Sequence, residues 1–244
     1  FFFRSERMRA FVVVAVVALC AAVAYGDLGR FHYPYELVEA WTYLPYRTFL
    51  GHFRAQVQVP PEPKEQSDQT IIYFMGALGN ETIEEREMVK TGLALIWTAK
   101  DHWVATLGSV NCETGVTNCD FTPLPKTELS VEPGDLVFLN ITDLPKKYVV
   151  GYEISVPFKG LSTGTVTWYT LGEREILGVF AAISEINLKS LDQFPRGETK
   201  MLKIAYSANV SPDKELPLTW KSPHPSKFDQ KFVQQNDWLI LNWQ

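Results

Sequence analysis

The sequence predicts an all-β fold, a two-sheet antiparallel sandwich of the jelly-roll kind. Three observations predict it. Apolar and polar residues alternate with a period of two, as in Phe53, Ala55, Val57 and Val59 set against Arg54, Gln56 and Gln58. Short apolar runs recur at roughly ten-residue spacing, divided by turn signals such as Glu132-Pro133-Gly134-Asp135 and Leu171-Gly172-Glu173. No stretch sustains a long 3.6-residue period.

In chain order, the first element is a secretory signal. Arg7-Met8-Arg9 is basic, Ala10 to Ala24 is wholly apolar, and Ala22-Val23-Ala24 supplies the small residues of a cleavage site. As a helix this segment would span roughly 22 Å, short of the ~30 Å hydrocarbon core, so no membrane insertion is expected after cleavage. Residues 1–26 are therefore expected to be upstream sequence and signal peptide. Residues 27–50 are aromatic-rich and read as an irregular segment wrapping the domain, with one short helix around Glu36–Trp41. Residues 51–244 read as one sandwich domain, without repeat, linker or break in composition.

Within it the first strand ends at Pro60-Pro61, where ladder donors are lost. Strands are predicted at Thr70–Met75, Leu93–Trp97, Trp103–Val110, Thr127–Val131 and Leu136–Ile141. Further strands are predicted at Tyr148–Val156, Thr163–Leu171, Ile176–Ile186, Met201–Ala208 and Trp238–Trp243. Gly76–Lys90 reads as a loop carrying a solvated charge run.

The compartment implied is extracellular. Asn80, Asn140 and Asn209 each begin an N-x-[ST] sequon, which a secreted chain can glycosylate. Beyond the signal, only Cys112 and Cys119 remain, an even pair spaced across a turn-forming stretch and expected to form a disulfide. A zinc site lacks ligands: His102 is the only nearby imidazole, and no second pair completes four. No metal or cofactor is expected. The net charge of −5, with signs interspersed, gives nucleic acid no basic stripe and an anionic membrane no polybasic patch.

Four stretches carry a family resemblance. They are Ile72-Tyr73-Phe74-Met75-Gly76, then Gly92 to Trp97 with Trp103 following, then Val131 to Asp135, and finally Ala181 to Asn187 with Asp192-Gln193-Phe194-Pro195 beyond. In this order, over about Thr70 to Ile204, the chain resembles the concanavalin-like sandwich of the glutamic-peptidase (eqolisin-like) group and its secreted relatives. The resemblance implies a Gln and a Glu that activate a water on the concave face. Motif matching puts Gly92 at the Gln position and Ser184 at the Glu position, so neither catalytic residue is kept. Glu185 lies one residue away, and in a strand that shift turns a side chain to the opposite face.

Other chemistries lack their residues. There is no G-x-S-x-G elbow and no E-x-D-x-x-E strand, and His32, His52, His102 and His224 fall at no metal spacing. Seven tryptophans remain to be placed. An aromatic concave face of Tyr73, Trp97, Trp103 and Trp168, with Glu185 beside it, would hold a glycan or peptide; the rival placement is the core between the sheets. The expectation is a secreted, non-enzymatic, lectin-like binding protein. The alternatives are a divergent glutamic-peptidase-like hydrolase using Glu185, or a secreted structural or matrix protein.

Overall fold

The computed structural model describes residues 31–33, 38–43, 50–80, 88–112, 119–144, 149–167, 176–197, 199–208, 215–216, 220, 231–235 and 238–242. Its strands are β1 (Phe31–Tyr33), β2 (Val38–Tyr43), β3 (Leu50–Gln58), β4 (Thr70–Asn80), β5 (Met88–Thr98) and β6 (His102–Cys112). There follow β7 (Cys119–Pro123), β8 (Leu129–Ser130), β9 (Leu136–Leu144), β10 (Val149–Val156) and β11 (Gly160–Thr167). The last are β12 (Ile176–Ile186), β13 (Thr199–Ala208), β14 (Glu215–Leu216), β15 (Lys231–Gln235) and β16 (Trp238–Asn242).

Two antiparallel sheets form a sandwich. The first runs β1-β7-β6-β5-β4-β12-β2, with β8 paired to β6. The second runs β11-β10-β9-β3-β13-β16-β15, with β14 paired to β13. Between them lies the main core. The first sheet gives it Tyr73, Met75, Leu93, Leu95, Trp97 and Trp103; the second gives it Phe53, Val57, Leu139, Ile141, Tyr152 and Ile154.

The first sheet is strongly curled. Its outermost strands, β1 and β2, are consecutive in the chain. Tyr33 and Val38 are five residues apart, a reach of at most about 18 Å. Seven strands laid flat would set those edges about 29 Å apart. The edges must therefore approach each other, and since Ile72, Phe74, Ala94 and Phe180 on the face turned away from the second sheet are fully buried, that face is the concave one.

Two expectations are corrected here. Of the segment around Glu36–Trp41, Val38–Trp41 are strand and not helix: β2 pairs with β12, and Ala40 and Thr42 are buried, while Glu36 and Leu37 lie outside the described residues. Its short alternation is completed by a distant strand, which outweighs weak local helix preference. Nor is Gly76 the start of a loop. β4 continues to Asn80 and β5 begins at Met88, pairing Gly76 with Gly92 and Asn80 with Met88.

Candidate functional site

The aromatic face expected from sequence is not a surface. Tyr73, Trp97 and Trp103 are each 0% exposed and lie between the sheets. Trp97 and Trp103 are cross-strand partners, and the Tyr73 ring lies 5.7 Å from that of Trp103 and 5.9 Å from that of Phe194. The Thr199 hydroxyl donates to the Tyr73 hydroxyl at 3.4 Å. The physical reason is alternation: Ile71, Tyr73, Met75 and Ala77 all take the inward side of β4. Burying each such ring stabilises the fold by roughly 1.5–3 kcal/mol, which exposure to a ligand would forfeit. These three residues are core, not a ligand platform. Trp168 and Asn209 lie outside the described residues.

The first sheet holds the positions singled out by resemblance: Gly92 on β5, Ser184 and Glu185 on β12. Gly92 sits in a row across four strands: Phe180, Gly76, Gly92 and Gly108 are successive register partners. A Cβ on Gly92 would meet the Met75 carbonyl oxygen at 2.0 Å, and one on Gly76 would meet the Thr91 carbonyl oxygen at 2.0 Å. A Cβ on Gly108 would meet the Phe121 ring at 2.3 Å. The glycines thus let strands approach closely and leave room for phenyl rings. Phe74, Phe121 and Phe180 pack edge to face there, at 5.5 Å and 4.9 Å, among Ile72, Ala94, Ile96 and Ala182. Lys90 is buried beside them, its ammonium 5.4 Å from the Phe180 ring centre. Ser184 is the register partner of Ile72, and Glu185 of Ile71.

The exposed chemistry lies on the second sheet and its β10–β11 hairpin. Phe158 is fully exposed and has φ of +65°, a left-handed conformation costly for a bulky residue. The turn is closed by Lys159 N–H donating to the Val156 carbonyl at 3.1 Å. With Pro157 before it, Phe158 stands where glycine is the usual occupant. Lys159 ties the hairpin to the Glu132–Asp135 turn, at 2.7 Å from Asp135 Oδ2 and 3.1 Å from Glu132 Oε2. Partial burial pushes the Asp135 carboxyl up. The Lys159 hydrogen bond, the Glu132 N–H and the Lys159 charge outweigh that and hold it below its ordinary value. Leu161 is also exposed, on the edge strand β11.

Sequence reasoning missed one buried network. Gln69 Oε1 accepts from Ser67 N and Oγ at 2.6 and 2.7 Å, while its amide donates to the Glu65 carbonyl at 2.8 Å. Gln193 Oε1 accepts from Lys189 N at 2.7 Å, and its Nε2 donates to Ser67 Oγ at 2.9 Å. These amides staple the 62–69 segment to the 187–195 segment. The Asp192-Gln193-Phe194-Pro195 stretch is thereby a structural lock, with Gln193 and Phe194 buried. Two polar glutamines give no pattern that marks them as buried before the loops are brought together.

No family model matches this chain, and no curated protein matches it. Among solved structures it is similar to scytalido-glutamic peptidase bound to a transition-state analogue inhibitor, at 7% identity and TM-score 0.47, over 85% of this chain and 100% of that one. It is similar to SCP-B, a member of the eqolisin family of peptidases in complex with the tripeptide Ala-Ile-His, at 6% identity and TM-score 0.49, over 86% and 98%. A PL-14 alginate lyase from Aplysia kurodai aligns at 11% identity and TM-score 0.32, over 68% and 76%. At these values the likenesses carry no activity over to this chain.

Proposed function

We propose that the chain is a secreted, N-glycosylated, non-enzymatic binding protein. It is lectin-like in holding an extracellular glycan or peptide against exposed rings of the sandwich, but it uses the β10–β11 hairpin in place of Tyr73, Trp97 and Trp103. The observation that carries this reading is Phe158. A phenyl ring in full solvent gains no burial, and its left-handed backbone costs about 1–2 kcal/mol. The ring packs against nothing in the fold among the described residues, and so is free to meet a ligand. Lys159 ties the turn to Glu132 and Asp135, which lowers the ordering left to lose on binding.

The test is Phe158→Gly, assayed on an array of immobilised glycans and peptides beside the parent protein. Strain relief of about 1–2 kcal/mol exceeds the extra chain entropy of glycine, about 0.5–1 kcal/mol. The variant is therefore expected to gain roughly 0.5–1 kcal/mol in urea unfolding while losing every ligand the parent retains. A variant that is less stable and binds as well as the parent would make Phe158 an ordinary turn residue and end this reading.

A further inference from the structure

The sequon at Asn140 sits in an unusual setting. It is in the interior of β9, between β3 and β10. Alternation sends Leu139 and Ile141 into the core, at 1% and 0% exposure, and turns Phe138, Asn140 and Thr142 outward. Phe138 remains 37% exposed, flanked in register by Gln56 and Ser155, with the exposed Leu161 beyond Ser155 in the same row. Asn140 lies between Arg54 and Glu153, and its Oδ1 is buried with no hydrogen-bond partner among the described residues. One feature thus calls for an occupant: an exposed aromatic ring two residues from a sequon asparagine, on the same side of one strand.

We propose that the occupant is the first sugar of an N-linked glycan on Asn140, stacked on the Phe138 ring, and that this glycan is a structural part of the second sheet. The inference rests on the secretory reading given under Proposed function. In the transfer, Asn140 Nδ2 forms a bond to the anomeric carbon of a lipid-pyrophosphate-linked oligosaccharide. That carbon loses its bond to the pyrophosphate oxygen, which leaves with the electron pair, and Nδ2 gives up one proton. Oδ1 stays free to accept. Residues of the same parity in a strand repeat at about 6.8 Å, a distance one sugar ring spans, so the C–H face of a sugar on Asn140 reaches Phe138. The host's transferase acts on the extended chain, so a position inside a strand is no obstacle provided it ends on the outer face.

The experiment is a cycle of four secreted proteins made in one eukaryotic host: the parent, Phe138→Ala, Asn140→Gln and the double variant. Occupancy at each sequon is read by peptide mass spectrometry, and stability by thermal unfolding. Asn140 is expected to be occupied in the parent. Asn140→Gln is expected to lower Tm by about 2–4 °C, the shift that an aromatic contact brings in a chain of this size. In the Phe138→Ala background the same change is expected to have little effect. Equal Tm losses in both backgrounds would overturn the stacking. Glycans on Asn80 or Asn209 with none on Asn140 would overturn this proposal alone. A secreted chain with no glycan at any site would overturn the glycosylation on which it rests.

Discussion

Thr91 places a hydroxyl in the core, fully buried in β5 between register partners Ala77 and Ser109, and its Oγ1 has no partner among the described residues. An orphaned buried hydroxyl costs about 1–3 kcal/mol. Thr91→Val keeps the branched shape and strand preference while removing that cost, so the midpoint of urea unfolding should rise by the equivalent of about 1 kcal/mol. A fall would show that the hydroxyl is satisfied in solution. The indole N–H groups of Trp97 and Trp103 likewise have no partner among the described residues, but replacing either ring would open a cavity whose cost exceeds the gain. At this scale the sequence spoke for hydrophobicity and not for position. Tyr73, Trp97 and Trp103 were equally compatible with groove and core, and their burial depends on which side of β4, β5 and β6 faces the second sheet.

Among the elements, strands read most clearly where one face is wet. β3 and β9 alternate because their outer residues, Arg54, Gln58 and Phe138 among them, are exposed. β4, β5 and β12 are buried on both faces, so they read only as apolar runs, and Gly76 looked like a stop when it is a point of close approach. The extension of β6 and β7 past that region bears on the two cysteines. Cys112 and Cys119 are direct register partners at the end of this pair. Opposed Cα atoms in an antiparallel ladder are about 4.5–5.5 Å apart, within the span a disulfide needs. A bridge there closes a short loop and adds about 2–3 kcal/mol. Secreted protein, unfolded without reductant, should therefore take up no thiol-alkylating reagent at either residue, and should take up two equivalents after reduction. Labelling before reduction would leave the pair open.

At the scale of the molecule, curvature decides what the concave face can do. Curling brings β1 and β2 towards each other and turns the outer side of β4, β5, β6 and β12 inward. A sheet that bends this sharply needs small residues where strands crowd, and Gly76, Gly92 and Gly108 supply them in one row. The space above the row is then filled by Phe74, Phe121 and Phe180. General acid–base hydrolysis needs an acid and a base within hydrogen-bond reach of one water. Gly92 has no side chain to polarise that water, Ser184 is no carboxylate, and Glu185 shares its register row with the core residues Ile71 and Trp97. Losing one oxyanion donor alone costs about 10²–10³ in rate. We therefore predict no cleavage of unfolded protein substrates above background between about pH 2 and pH 5. Gly92→Ala, which sets a methyl group against the Met75 carbonyl, should cost about 3 kcal/mol or more in urea unfolding. The two outcomes are linked: if glycine is at position 92 for curvature, any side chain restored there strains the sheet at the place where it would restore chemistry. Cleavage in acid that is abolished by Glu185→Gln and untouched by Ser184→Ala would show instead that Glu185 is a working carboxylate. A Gly92→Ala variant as stable as the parent would show that the row of glycines is not what lets the sheet bend.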